Sequence, residues 1–237
     1  MEKRINYIIN RFALNGIDID IDTAELLEKL YVDMVEYNEN INITAITQFE
    51  EVVDKHFIDS VLIADMIPKN ATVMDLGSGG GFPALPLKLV RPDLNIVMLD
   101  SVDKKLNFIR QTINKYNIEG CAVLHGRIED VAHSMQHRGM YDVVTCRSLA
   151  RLNELIEYSV PFIKDNGVVI AYKGKTYDEE IAECDNVLHA LNANICSVEH
   201  RVLQPDINRY YVLINKCGET PKQYPRTGGK VHKSPIK

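Results

Sequence analysis

The chain has 237 residues, 46% of them hydrophobic and 25% charged, the balance of a globule with a buried core rather than a disordered or fibrous chain. No run of about 18 or more apolar residues appears, so no membrane-spanning helix is expected, and Met1–Tyr7 lacks the apolar core of a secretory leader. Net charge is −6, which argues against indiscriminate coating by nucleic acid, yet residues 218–237 carry +4 and the remainder about −10.

Residues 1–70 read as a helical extension. Leu27, Leu30, Tyr31, Met34 and Val35 recur at helical spacing, as do Phe49, Val52, Val53, Phe57, Ser60 and Ala64, with Thr23 as the expected N-cap. The Asn-rich stretch between these helices, residues 38–46, reads as an exposed loop. From 71 to 217 the pattern alternates strand, turn and helix. Short β-branched runs fall at Val73–Leu76, Ile96–Leu99, Ala122–Leu124, Val143–Thr145, Val168–Ala171, Ile195–Val198 and Tyr210–Ile214, with helices expected near 102–116, 128–135, 151–163 and 177–191. Such alternation predicts a largely parallel α/β sheet covered on both faces. The last two strands have no helix between them; Pro205–Asn208 reads as a turn, so they should form an antiparallel hairpin. Residues 218–237 follow as a basic C-terminal tail, either an arm for an anionic partner or a solvated end.

The densest chemical signal is Asp75-x-Gly77-x-Gly79-x-Gly81, directly after the first apolar run. Glycine admits positive φ and lets a ligand approach the backbone closely. A dinucleotide fingerprint would need a third glycine where Phe82 stands, and the Gly-Lys-Ser/Thr ending of a triphosphate loop is absent. The turn looks like the first motif of S-adenosylmethionine-dependent methyltransferases; the bland alternative is a loop that only reverses the chain. Asp100 closes the second strand, where an acid can accept hydrogen bonds from ribose hydroxyls or cap the following helix. Seven strands ending in a hairpin resemble the class I methyltransferase sheet, a Rossmann-like fold. In that fold the segment Gly126–Asp130 would hold an adenine, with Glu129 or Asp130 near its amine, unless these acids simply open the next helix. Cys146–Ala150 follows the fourth strand and would face the transferred methyl; it lacks the Asn/Asp-Pro-Pro-aromatic tetrad of many amine-methylating enzymes. Cys146 reads as a buried strand-end residue rather than a nucleophile. Five scattered cysteines and seven histidines show no metal-ligand spacing, so no metal is expected, and the interior should be reducing. The cytoplasm is the expected compartment.

Several segments taken together are more specific. Asn42-Ile43-Thr44-Ala45-Ile46, His56-Phe57-Ile58-Asp59-Ser60, the run Asp75–Pro86, Leu99-Asp100-Ser101, Arg127-Ile128-Glu129, Cys146-Arg147-Ser148-Leu149-Ala150, Tyr172-Lys173-Gly174 and Tyr224-Pro225-Arg226 closely resemble, in order, the bacterial small-subunit rRNA methyltransferase G family, formerly called glucose-inhibited division protein B. The resemblance covers nearly the whole chain and is weakest before residue 30 and across 176–200. It implies methylation of N7 of a guanosine in the 530 loop of 16S rRNA, with S-adenosyl-L-methionine as cofactor and the small ribosomal subunit as partner. It also implies cofactor contacts at Gly77, Phe82, Ile128, Glu129 and Arg147, to which the motif reading adds Gly79 and Asp100. Cys146 and Ser148 stand where the family usually has serine and alanine.

Guanine N7 carries a lone pair and no proton, so its methylation needs no general base, and no catalytic residue of that kind is expected. Phosphate contacts are expected from Lys173, Arg209, Arg226, Lys230 and Lys233, with Asn42 and His56 lining the acceptor side. A monomer is expected. The competing readings are a small-molecule or protein methyltransferase on the same fold, mildly favoured by the acidic balance, and a non-enzymatic nucleotide-binding module.

Overall fold

The computed structural model of the chain describes residues 1–203 and 205–237. Helices α1 (Glu2–Leu14) and α2 (Ile21–Asn38) open it, and each buries one stripe: Ile5, Ile8 and Phe12 from the first, Leu27, Leu30 and Met34 from the second. The start of α2 differs from the sequence expectation. Asp20 is its N-cap, with extended backbone and a carboxylate that accepts from the Thr23 amide at 2.8 Å, so Thr23 lies inside the first turn.

A second helical run spans 49–61 but changes pitch on the way. It begins as α3 (Phe49–Val52), widens into a π-helical stretch over Val53–Ile58, and closes as α4 (Asp59–Val61). The wider turn places Val53, His56, Phe57 and Ile58 all inward. Such local widening is frequent at functional sites.

The sheet comprises β1 (Thr72–Leu76), β2 (Asn95–Asp100), β3 (Cys121–His125), β4 (Tyr141–Arg147), β5 (Ile163–Lys173), β6 (Ala193–Leu203) and β7 (Ile207–Lys216). Their order is β3-β2-β1-β4-β5-β7-β6, with the first five parallel and β7 antiparallel between β5 and β6. The expected seven strands and terminal hairpin are therefore present. Leu203 pairs with Ile207, so Ile207 and Asn208, read as turn, belong to β7. The helices that follow the α4 segment are α5 (Ala84–Val90), α6 (Asp103–Lys115), α7 (Ile128–Val131), α8 (Leu152–Ser159), α9 (Tyr177–Ile181), α10 (Asp185–Leu191) and α11 (Lys230–Lys233). The helix expected to reach 135 stops after a single turn at Val131, and the stretch expected over 177–191 is split into α9 and α10.

Alternate strand side chains point to opposite faces. Val73, Ile96 and Met98 join one apolar cluster with α1, α2, α5 and α6; Met74, Leu76 and Val144 join another with α8 and α10. Burial on both sides explains why β1 reads as a continuous apolar run rather than an alternating one.

The C-terminal segment is neither a free arm nor a solvated end. The Arg138 guanidinium donates to the carbonyls of Thr220, Pro221 and Tyr224, the Asn153 amide donates to the carbonyl of Ile236 at 3.0 Å, and Val231 of α11 is fully buried. The segment folds back along α8.

Candidate active site

Parallel strands bring the carboxyl ends of β1, β2, β3 and β4 to one edge, and the strand order reverses between β1 and β4. Open α/β sheets bind ligands just outside that point. Here β1 runs into the glycine turn. Gly77 sits at φ +72°, and a Cβ added there would lie 2.8 Å from Leu149 Cδ1. The amides of Gly77 and Ser78 donate to the Leu99 carbonyl at 2.8 and 3.1 Å, tying the turn to the tip of β2. Asp100 strengthens that tie: one carboxylate oxygen accepts from the Gly79 amide and the other from the Val102 amide, both at 2.8 Å. Asp100 thus braces the backbone leading into α6, whose N-cap is Val102, and also lines the cleft beyond.

That cleft, of about 1110 Å³, gathers four of the seven expected cofactor residues: Gly77, Asp100, Ile128 and Glu129. Gly126, Leu149 and Tyr158 line it as well. Glu129 is nearly buried and lies 3.9 Å from the Arg127 guanidinium, whereas Asp130 is exposed. Burial, then the charges of Glu129, Glu154 and Glu157, push the Tyr158 hydroxyl up to about 12. The remaining three expected residues, Gly79, Phe82 and Arg147, stand beside this cleft rather than in its lining.

Phe82 and Arg147 belong to a second constellation on the face covered by the N-terminal helices. The Phe82 ring stacks on His56 with centroids 4.6 Å apart and 16° between planes, and the Arg147 guanidinium lies 5.6 Å from the Phe82 centroid. Arg147 donates to Asp59 Oδ2 at 3.1 Å and to the Lys55 carbonyl at 3.2 Å, and approaches His56 Nδ1 at 3.3 Å. Asp59 is gripped from its other oxygen by the Arg209 guanidinium. His56 Nε2 meets Thr44 Oγ1 at 2.8 Å. Burial first, and the Arg147 charge second, lower the His56 imidazole to about 4. The ring is thus neutral at neutral pH, and Arg147 at Nδ1 assigns the proton to Nε2, donated to Thr44.

Between the two constellations lies Asp75, fully buried at the end of β1. Its Oδ1 accepts from Thr145 Oγ1 at 2.8 Å, while Oδ2 has no hydrogen-bond partner. Burial, the largest influence, raises its carboxyl to about 6. A buried carboxylate oxygen left unpaired beneath a glycine turn is an unmet demand for a cationic or hydrogen-bonding ligand.

The expected RNA contacts divide sharply. Lys173 is almost buried and donates to Glu180 at 2.7 Å and to the Ala150 carbonyl at 2.9 Å. Arg209 is committed to Asp59, and Arg226 forms a two-pronged pair with Glu157 at 2.8 and 2.7 Å. These three cations are paired with internal carboxylates; in the sequence they were indistinguishable from surface cations. Asn42, Lys230 and Lys233 are exposed. Cys146 is fully buried with its thiol pushed well above the ordinary range, as the structural reading expects. Among the described residues no cluster of His, Cys, Asp or Glu is arranged to hold a metal ion, and no helix is long and apolar enough to cross a membrane. The residues missed by sequence reasoning are Asp59, Thr44, Glu154 and Tyr158. Thr44 and Asp59 stood inside the family-like segments with no role assigned to them, whereas Glu154 and Tyr158 carried no signal.

The residues present fit an adenosyl sulfonium donor. The turn leaves open space at Gly79, where an added Cβ would meet only the Gly77 carbonyl at 3.9 Å, and Asp75 offers an unpaired buried oxygen. Fold and site together define a class I S-adenosylmethionine-dependent methyltransferase architecture. Solved structures agree on the fold: a ribosomal protein L11 methylase from Lactobacillus delbrueckii subsp. bulgaricus (TM-score 0.52, 16% identity, 69% of this chain and 79% of that one) and a SAM-dependent methyltransferase from Aquifex aeolicus (TM-score 0.51, 16% identity, 69% and 92%). Residues 23–208 match the model of the rRNA small subunit methyltransferase G family. A ribosomal RNA small subunit methyltransferase G of Desulforamulus reducens is 40% identical over 230 residues, covering 94% of this chain and 95% of its own. One from Lachnoclostridium phytofermentans is 37% identical over 224 residues, covering 93% of each. The chain belongs to the rRNA small subunit methyltransferase G family.

Proposed function

We propose that this protein methylates N7 of a guanosine in the 530 loop of 16S rRNA, with S-adenosylmethionine as donor, acting as a cytoplasmic monomer. When bound, the donor supplies an electrophilic methyl group activated by its sulfonium. The chain contributes placement and electrostatics. Gly77 and Asp100 shape the bed beneath the donor, Ile128 and Glu129 border its base end, and Asp75 offers negative charge under the turn.

The observation that carries the acceptor assignment is the state of the groups beside that bed. His56 is neutral with both ring nitrogens engaged, and the Asp59 carboxylate is held by two guanidiniums. Neither is free to remove a proton, and N7 of guanine has none to give up. The stacked Phe82–His56 pair offers an aromatic surface of the kind on which unpaired bases rest. Asn42 and Lys230, both exposed, remain contacts for the RNA strand.

The test is a tritium-labelled donor incubated with 30S particles and with 16S rRNA from cells lacking the enzyme. Label should enter the rRNA, and borohydride followed by aniline should cleave it at 7-methylguanosine within the 530 loop. Label on protein, on adenine or on cytosine would overturn the assignment.

A further inference from the structure

We propose that the C-terminal segment is the outer wall of the donor cleft, and that Lys233 is the tail cation that meets the bound donor at its base end. This rests on reading the cleft as the donor site.

Gly229, His232 and Lys233 line the same cleft as Gly77, Asp100 and Glu129, although Gly229 lies 100 positions beyond Glu129 in the chain. The short helix that carries them is fixed at two points. Val231 is fully buried, and His232 Nδ1 lies 2.8 Å from Glu154 Oε2. Upstream, Arg226 latches the segment to Glu157 with its guanidinium and with its backbone amide, the latter at 2.9 Å. Glu154 and Glu157 both belong to α8, and so does Tyr158, which faces the cleft. The tail therefore supplies partners for two nearly buried carboxylates of the helix that flanks the donor, a guanidinium for Glu157 and an imidazole for Glu154. Removing one partner from such a pair leaves a charge buried and uncompensated.

Placement assigns the end of the donor. Asp100 closes β2, where an acid meets ribose hydroxyls, so the segment after β3, Gly126–Asp130, borders the base. The tail residues line the cleft together with that segment and Tyr158. Among the described residues Lys233 forms no ion pair, while the other cation-forming residues of the latch, Arg226 and His232, are occupied. An ammonium is a donor only, and the ring nitrogens of an adenine are acceptors. Of the exposed tail lysines, Lys233 is thus the one placed to serve the cofactor, while Lys230 lies outside the cleft lining.

The experiment uses the full chain. S-Adenosylhomocysteine is titrated calorimetrically, rRNA binding is followed by filter retention, and donor KM and kcat are measured on 30S particles. Val231→Asp should detach α11 and raise the S-adenosylhomocysteine dissociation constant by about tenfold or more, the scale of one lost charged contact. Lys233→Ala should raise donor KM several-fold with kcat and rRNA affinity unchanged, Lys233→Arg should restore it, and Lys222→Ala, an exposed tail cation outside the cleft, should change nothing. Should Val231→Asp fail to fold, the Lys233 series decides alone, because that side chain is exposed. Wild-type donor affinity in Lys233→Ala overturns the proposal, whether or not rRNA binding weakens. A wild-type protein that binds no S-adenosylhomocysteine would instead refute the functional reading itself.

Discussion

Ile43 lies so close to Gly80 that a Cβ added to the glycine would stand 2.0 Å from Ile43 Cγ2. The contact fastens the loop after α2 onto the glycine turn, and it needs the glycine for its missing side chain rather than for its backbone angle. Gly80→Ala should therefore lower the unfolding midpoint by an amount corresponding to roughly 1 to 3 kcal/mol, the usual cost of overpacking. Ile43→Ala in the same chain should recover most of that loss. A double-mutant cycle read from thermal melts checks the coupling, and strict additivity would contradict the contact.

Gly77→Asp should abolish binding of S-adenosylhomocysteine. The position needs φ +72°, its side-chain space is filled by Leu149, and a second carboxylate would stand beside Asp100. Calorimetry that finds unchanged affinity would contradict this.

Asp59 should be a stability residue with a catalytic consequence. Its nearly buried carboxylate is shared by Arg147 and Arg209, so Asp59→Asn leaves two guanidiniums without a counter-charge. The expected loss is roughly 3 to 5 kcal/mol in denaturant unfolding, the scale for breaking a buried pair. Because Arg147 also borders Phe82 and His56, kcat on 30S particles should fall with it.

Two shifts oppose one another across the same pH window. His56 is lowered to about 4 in the folded protein, so its contribution is full above the unfolded value near 6.5 and is lost as pH falls toward 4. Asp75 is raised to about 6, so its buried charge costs stability above pH 6, a cost relieved as pH falls toward 4. The two effects carry opposite signs between pH 6.5 and 4, so each offsets the other in the unliganded protein. Asp75→Asn removes one arm and should expose a steep loss of stability with acid. A wild-type donor affinity that fails to weaken below pH 6, where Asp75 becomes neutral, would show that its carboxylate does not serve the donor.

The turn and its strand were legible because they are local. Asp75 to Gly81 is one contiguous signal, and Asp100 falls where the second apolar run stops. The doubly covered sheet followed from apolar runs with helices between them. What stayed hidden depends on distance in sequence. Arg226 finds Glu157 69 residues away and His232 finds Glu154 78 residues away, so no spacing rule could pair them. The same holds for Arg209, whose partner Asp59 lies 150 residues away on α4, whereas Lys173 meets Glu180 only seven residues on because the chain turns back from β5 into α9. The π-helical stretch was invisible for another reason. Over six residues its apolar pattern satisfies an α-helical template equally well, with His56 on the same buried stripe as Val53 and Phe57, so nothing in the spacing marks the change of pitch.

Val231 and His232 follow the last strand of the sheet, so a chain cut by a protease at the exposed Gly228 would keep all seven strands while Glu154 lost the partner that α11 gives it. A single nick there would strip one wall from the cleft without touching the sheet beneath it.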